Sequence, residues 1–400
     1  MVTADDVIAA RPVVAELARA TPVRSARWLA DRVGGPVWIK CENMQRAGSF
    51  KVRGAYLRLS RMTPEERARG VVTASAGNHA QGMAVSAQAL GVPATVFMPH
   101  GAPLPKVRAT RGYGAEVRFS GSTIDEAMVA AREFSDATGA VLVHPFDHPD
   151  IVTGQGTIAL EILEQVPDVR TVVVCTGGGG LLAGIVAVMR DLAPHVRVVG
   201  VQAEGAAAYP PSLAAGHPVP LASMSTMADG IAVGRPGDVP FGVIADASIE
   251  IRTTSEDSIS RALLLCLERS KLLVEPAGAV AMAAVLDDPT AFEPPVVVTA
   301  SGGNIDPLLL MQVMRHGLAV AGRYLSLTIS IHDRPGALAT LLAEVGAAGA
   351  NIIDVEHRRI DADLRFGDVE VLVHVETRGR EHRDELVSHL RGSGYQVTVT

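Results

Sequence analysis

Along the first three hundred positions, short runs of β-branched and aliphatic residues alternate with longer alanine-rich stretches of helical spacing. Residues 70–73, 94–97, 116–119, 140–143, 171–175, 196–201, 248–252 and 295–300 read as strands, and 79–90, 123–138, 154–165 and 181–192 as helices between them. Strands this uniformly apolar, separated by helices, predict an α/β protein with open, mostly parallel sheets covered on both faces. In such sheets ligands sit beyond the carboxyl ends of the strands. Three polar, glycine-bearing runs fall there: Ser75-Ala76-Gly77-Asn78-His79, the block Gly177-Gly178-Gly179-Gly180, and Ser301-Gly302-Gly303-Asn304.

The pattern changes in the last eighty residues. Positions 325–331 alternate as a half-buried strand, Asp333-Arg334-Pro335-Gly336 reads as a turn, and 337–348 has helical periodicity. Strands at 352–356 and 369–376, a helix at 381–391 and a strand at 396–400 complete a β-α-β-β-α-β order, the ferredoxin-like split motif.

Composition narrows the function classes. At 400 residues, 48% hydrophobic and 20% charged, the chain is long enough for two or three cores. A net charge of −7 leaves no basic surplus for nucleic acid, which is excluded as an expected partner. Cys41, Cys175 and Cys266 have neither an even count nor metal-ligand spacing, so a reducing, cytoplasmic setting is expected. Charged residues interrupt the first twenty positions, and no apolar run approaches membrane-spanning length, so no membrane partner is expected either.

Only four of the 36 basic residues are lysines: Lys40, Lys51, Lys106 and Lys271. Arginine cannot give up its proton to become a nucleophile, whereas lysine can where its surroundings disfavour the charge. Lys51 lies in Ser49-Phe50-Lys51-Val52-Arg53-Gly54, and the four glycines follow the apolar run Val172-Val173-Val174-Cys175. A nucleophilic amine and a strand-end set of backbone N–H donors look like the covalent and phosphate-binding halves of a pyridoxal 5'-phosphate site.

Four runs in order, SFKVRGA from Ser49, SAGNHAQG from Ser75, GGGGLLAG from Gly177 and SGGN from Ser301, resemble the threonine/serine dehydratases of the tryptophan-synthase-β fold type. Thr226 to Val233 and Val274 to Ala279 also fit that pattern, and the DRPGAL turn with Gly349-Ala350-Asn351-Ile352 resembles an ACT domain. The resemblance implies two open, mostly parallel sheets with the cofactor between them. It places a catalytic domain at 1–322, with a smaller lobe of about 50–148 inserted in the larger one, and an ACT regulatory domain at 323–400.

The site roles follow from the resemblance. Lys51 carries the cofactor covalently and takes the substrate α-proton, Phe50 packs on the pyridine ring, and Asn78 bonds the ring hydroxyl. Gly177, Gly178, Gly179, Gly180 and Leu181 surround the phosphate, with the helix beginning near Leu182 aimed at it. Ser301 faces the ring nitrogen. Ser75, Ala76, Gly77, Asn78 and His79 bind the substrate carboxylate, His79 through its backbone rather than as an acid–base group. Where serine racemases typically carry a second serine, this chain has Ala76, which counts against racemisation.

The implied activity is threonine ammonia-lyase, giving 2-oxobutanoate and ammonia, in isoleucine biosynthesis with feedback by a branched-chain amino acid. Gly336 and Asn351 are the expected effector contacts, and a homo-oligomer is expected. A serine-directed dehydratase or racemase, and a non-catalytic amino-acid sensor, stand as the alternatives. Glu204 is the one candidate for a cation site, without a second acidic residue nearby, so the metal stays unassigned.

Overall fold

A computed structural model describes residues 1–359 and 367–399. It divides into two compact units, Met1–Leu310 and Met311–Thr400.

In chain order the first unit contains Val23–Ser25 (β1), Val37–Cys41 (β2), Val71–Ala74 (β3), Ala94–Met98 (β4), Glu116–Phe119 (β5), Val141–Leu142 (β6), Thr171–Cys175 (β7), Arg197–Ala203 (β8), Glu250–Thr254 (β9) and Val296–Ala300 (β10). They form a six-stranded sheet in the order β1-β2-β10-β7-β8-β9 and a four-stranded sheet in the order β5-β4-β3-β6. Every pairing is parallel except β1 with β2 at the edge of the larger sheet. β7 and β10 are buried along their whole length, as continuous Val runs require of central parallel strands.

Sequence reading misses β1 and β2. β1 is three residues long, and β2 carries Lys40 in an otherwise apolar run, yet Lys40 is fully buried. Its amine reaches Glu161 at 2.5 Å and the Thr21 carbonyl oxygen at 2.6 Å. Arg53, also buried, joins the same cluster, 2.8 Å from Glu42 and 2.6 Å from Glu161. The expected strand at 248–252 begins two residues later, because Ser248 adopts a left-handed φ of 50° that breaks the extended chain.

The Arg53 cluster matters because Arg53 lies one turn into the helix Lys51–Ser60, which begins at the candidate nucleophile. That helix crosses the helix Pro149–Gln165 at backbone contact. A Cβ on Gly154 would stand 2.6 Å from the Cα of Gly54, so only glycine permits the crossing. Ionic clamp and backbone contact together hold the start of the helix against the larger sheet.

The second unit contains Tyr324–His332 (β11), Asn351–Arg358 (β12), Asp368–Glu376 (β13) and Gln396–Val399 (β14), with helices Ala337–Ala347 and Arg380–Gly392. All pairings are antiparallel, in the order β12-β13-β11-β14, which is the ferredoxin-like arrangement. Leu325, Leu327, Ile329 and Ile331 of β11 pack beside Val369, Val371, Val373 and Val375 of β13 and against Leu341, Val345, Leu386 and Leu390 of the helices. The other face is polar, with Ser326 and His374 2.8 Å apart. The last position of the expected strand at 396–400, Thr400, lies outside the described residues.

Candidate active site

The loops after β3, β7 and β10 all leave the carboxyl ends of their strands, and the segment before Lys51 is fastened to the last of them. Ser49 bridges Gly302, the Phe50 N–H donates to the Ser301 carbonyl at 3.2 Å, and the Gly303 N–H donates to the Gly48 carbonyl at 2.9 Å. This short ladder sets Lys51 beside Ser301, although 250 positions separate them in sequence.

One cavity is lined by Phe50, Lys51, Asn78, Gly177, Gly178, Gly179, Gly180, Leu181 and Ser301, so nine of the expected site residues meet in space. The Lys51 amine sits 5.2 Å from the centre of the Phe50 ring and donates to the Pro145 carbonyl at 3.0 Å. Burial pushes it down to about 8, against the favourable charges of Cys175 and Glu275. Its place at a helix N-terminus, the positive end of the helix dipole, also disfavours the ammonium form.

The glycines form a cradle with no room for side chains. A Cβ on Gly178 would lie 2.4 Å from the Phe146 ring, and one on Gly179, which has a φ of +98°, would lie 1.8 Å from the Tyr209 hydroxyl. The helix that follows begins at Gly180 rather than near Leu182, so Gly179 is its N-cap and the Gly180 and Leu181 amides open its first turn. Those N–H groups lack intrahelical acceptors by geometry and point outward as an anion site. A carbonyl-reactive amine, a flat aromatic neighbour and a side-chain-free amide cradle fit the aldehyde, ring and phosphate of pyridoxal phosphate.

Of the run Ser75 to His79, only Asn78 lines this cavity. Ser75, Ala76 and Gly77 are half-buried in the turn before the helix Asn78–Leu90, where the Ser75 hydroxyl accepts from the Gly77 N–H at 3.2 Å. The His79 ring is buried against the Val143 carbonyl, 3.1 Å from Nε2, and burial followed by the Lys51 charge pushes it down to about 3. It is therefore neutral, leaving its backbone N–H as the group available to a ligand.

Glu275 and Phe146 are site residues to which sequence reading assigns no role. Glu275 is 2% exposed, lines the cavity, and accepts from Asn78 at 2.5 Å. Burial, then Asp229, push its carboxyl up to about 7. Its position in Val274-Glu275-Pro276-Ala277 was the available signal. Cys175 also lines the cavity, its thiol raised by burial and hydrogen-bonded with Ser301 and Thr299.

Glu204 is exposed at the start of a single turn, Glu204–Ala206, and no cluster of three His, Cys, Asp or Glu side chains suited to a metal occurs among the described residues. Likewise, no helix among them is long and apolar enough to cross a membrane. In the second unit Gly336 caps a helix with a φ of +86°, and Asn351, at the start of β12, lies 3.4 Å from Glu376.

Parallel sheets carrying a half-buried lysine and an amide cradle at their strand ends define an enzyme that works through a phosphorylated carbonyl cofactor. Residues 14–302 match the family described as pyridoxal-phosphate dependent enzymes, and 325–390 match the ACT domain. The chain belongs to the pyridoxal-phosphate dependent enzyme family and carries an ACT domain at its C-terminal end. It is 47% identical over 382 residues to an L-threonine ammonia-lyase of Geobacter sulfurreducens, covering 95% of each chain. It is 41% identical over 399 residues to an L-threonine ammonia-lyase of Thermotoga maritima, covering both chains completely. Among solved structures it resembles the processed threonine deaminase isoform 2 of Solanum lycopersicum, with 38% identity, a TM-score of 0.75, and coverage of 78% of this chain and 91% of that one.

Proposed function

We propose that the protein is a threonine ammonia-lyase, converting L-threonine to 2-oxobutanoate and ammonia. The observation that carries this reading is the pairing of the half-buried Lys51 amine, in one cavity with a glycine cradle, with a serine rather than a carboxylate at position 301. The two full-length relatives named as L-threonine ammonia-lyases support the choice of substrate.

Pyridoxal phosphate, when bound, supplies an electron sink for the substrate's Cα electrons. The rest falls to the chain. Lys51 would hold the cofactor and would serve as the base for the substrate α-proton, with an amine whose proton affinity burial lowers to about 8. Gly177, Gly178, Gly179, Gly180 and Leu181 bind the phosphate through N–H groups, and Phe50 packs on the ring. Ala76, Asn78 and His79 would offer backbone N–H groups and Ser75 its hydroxyl to the substrate carboxylate, in the turn held by the Ser75 N–H on the Phe97 carbonyl and the Gly77 N–H on the Ser75 hydroxyl, and Asn78 would bond the ring hydroxyl. Ser301, which lines the same cavity, would meet the ring nitrogen with a hydroxyl rather than a carboxylate, and so would leave that nitrogen uncharged. Loss of the β-hydroxyl is then favoured over routes that need a long-lived carbanion.

A serine-directed reading is favoured by likenesses to serine racemases, such as that of maize at 34% identity and a TM-score of 0.74. Ala76 has no proton to deliver to the opposite face of Cα, so racemisation lacks its second acid. The ACT domain serves as the regulatory unit of a homo-oligomer in isoleucine biosynthesis, with Gly336 and Asn351 contacting a branched-chain amino acid.

The test is to reconstitute the purified protein with pyridoxal phosphate and measure 2-oxo acid release from L-threonine and L-serine separately. Faster release from threonine supports the proposal; release from serine alone overturns the substrate assignment.

A further inference from the structure

Both ends of the Asn78 amide are already engaged within the protein. Nδ2 donates to Glu275 Oε1 at 2.5 Å, and Oδ1 accepts from Asn304 Nδ2 at 2.9 Å. Asn304 is itself oriented, because its Nδ2 also donates to the Ala47 carbonyl at 2.7 Å. Turning the Asn78 amide over would set its NH2 against the Asn304 amide NH2, donor against donor, and its oxygen against the Glu275 carboxylate, acceptor against acceptor, losing both bonds while Glu275 is ionised.

The surroundings of Glu275 are equally constrained. Its backbone N–H donates to the Gly302 carbonyl at 3.0 Å. A Cβ on Gly302 would lie 2.2 Å from Glu275 Oε1 and 2.9 Å from Asn78 Nδ2. Glycine at 302 therefore leaves the space in which the acid and the amide meet.

We propose that Glu275 is a positioning residue which, with Asn304, locks Asn78 so that the Nδ2 proton not donated to Glu275 is held on the cofactor. The inference rests on the reading that Asn78 bonds the cofactor's ring hydroxyl. An asparagine left free would divide its time between amide orientations, half of them presenting an oxygen where a donor is wanted. The clamp removes that loss before the ligand arrives.

The groups facing Glu275 are Asp229, Asn78, Lys106, Lys51 and Cys175. Burial and the negative charge of Asp229 raise its carboxyl to about 7, the Asn78 bond and the cationic Lys106 and Lys51 pulling the opposite way. An ionised acceptor strengthens the Asn78 bond and so polarises the amide that bonds the ring. The visible absorbance of the bound cofactor therefore carries a component that titrates with Glu275 and is separate from Lys51.

The experiment compares full-length wild type, E275Q, N304A and N78A, each titrated with pyridoxal phosphate to obtain Kd and scanned for its visible spectrum from below to above pH 7. E275Q keeps an oxygen for Asn78 but cannot ionise; it should hold Kd within about threefold while losing the spectral step near neutrality. N304A should weaken cofactor binding roughly tenfold and move the band in the same sense as N78A, since it frees the amide to turn. The clamp is overturned if N78A changes Kd and spectrum while E275Q keeps the pH step and N304A behaves as wild type. If N78A itself changes neither quantity, the assignment of Asn78 fails and the inference falls with it. Because N304A leaves Glu275 in place, a poorly folding E275Q does not remove the test.

Discussion

The Lys51 amine donates to the carbonyl oxygen of Pro145, 3.0 Å away and on the loop that leads from β6 into the helix Pro149–Gln165. The same loop supplies Phe146, whose ring closes over Gly178. One segment thus touches both the nucleophile and the phosphate cradle. Replacing Lys51 by alanine removes the covalent attachment and the base together, and turnover should fall by at least about 10³-fold. Loss of the lysine-bound cofactor's absorbance, with unchanged far-UV circular dichroism, separates this from misfolding.

The same amine should mark the stability of the cofactor-free protein. In the folded state it titrates at about 8, below the ordinary lysine value of 10.5, so the unfolded chain binds the proton more tightly. The charged amine therefore costs stability fully below pH 8, and the cost vanishes as pH rises towards 10.5. Lys51→Met should raise the unfolding midpoint of the apoprotein at neutral pH, with the gain shrinking in alkaline buffer. A constant gain across that range would show that burial of the charge is not the cause.

Arg53→Met leaves Glu42 and Glu161 without their shared partner in a fully buried setting. Breaking a buried pair from one side costs about 3–5 kcal/mol, far more than an exposed pair would. Urea unfolding should show a loss of that size, whereas Arg11→Met, which removes an exposed bond to Glu164, should cost about 1 kcal/mol or less.

Gly179→Ala forces a side chain onto a left-handed backbone and against the Tyr209 hydroxyl. Such strain amounts to about 1–3 kcal/mol, and here relief requires moving the amide cradle. Cofactor affinity should drop about tenfold or more, read by equilibrium dialysis. Gly216→Ala, also at positive φ but with nothing within 4 Å of its Cβ, serves as the control for strain alone.

Regulation through the ACT domain requires an effector that binds two states unequally. Titrating isoleucine, and separately valine, against the rate at subsaturating threonine should change activity, and Asn351→Ala should blunt the response without altering the basal rate. A flat response to both amino acids would leave the domain an assembly module.

Much of this site was legible in the sequence because its parts lie in short runs at strand ends. The lysine after Phe50, the glycine block and SGGN each depend on local backbone demands that a sequence carries openly. Glu275 was not legible in that way: a glutamate before a proline reads as a helix start, and only tertiary burial against Asn78 gives it a role. β2 was hidden for a related reason, since Lys40 looks like a surface charge until Glu161 is placed opposite it. The ferredoxin-like unit was the easiest to read, because half-buried antiparallel strands alternate visibly, as Leu325 to Ile331 do.

The scarcity of lysine has a practical side. Lys40 and Lys106 are buried and ion-paired, and Lys51 faces inward, while Lys271 is exposed. With Lys51 occupied by the cofactor, an acylating dye or surface linker therefore meets a single accessible ε-amine besides the chain's amino terminus. The molecule can be tethered or labelled at Lys271 with defined stoichiometry, and no engineered cysteine is needed.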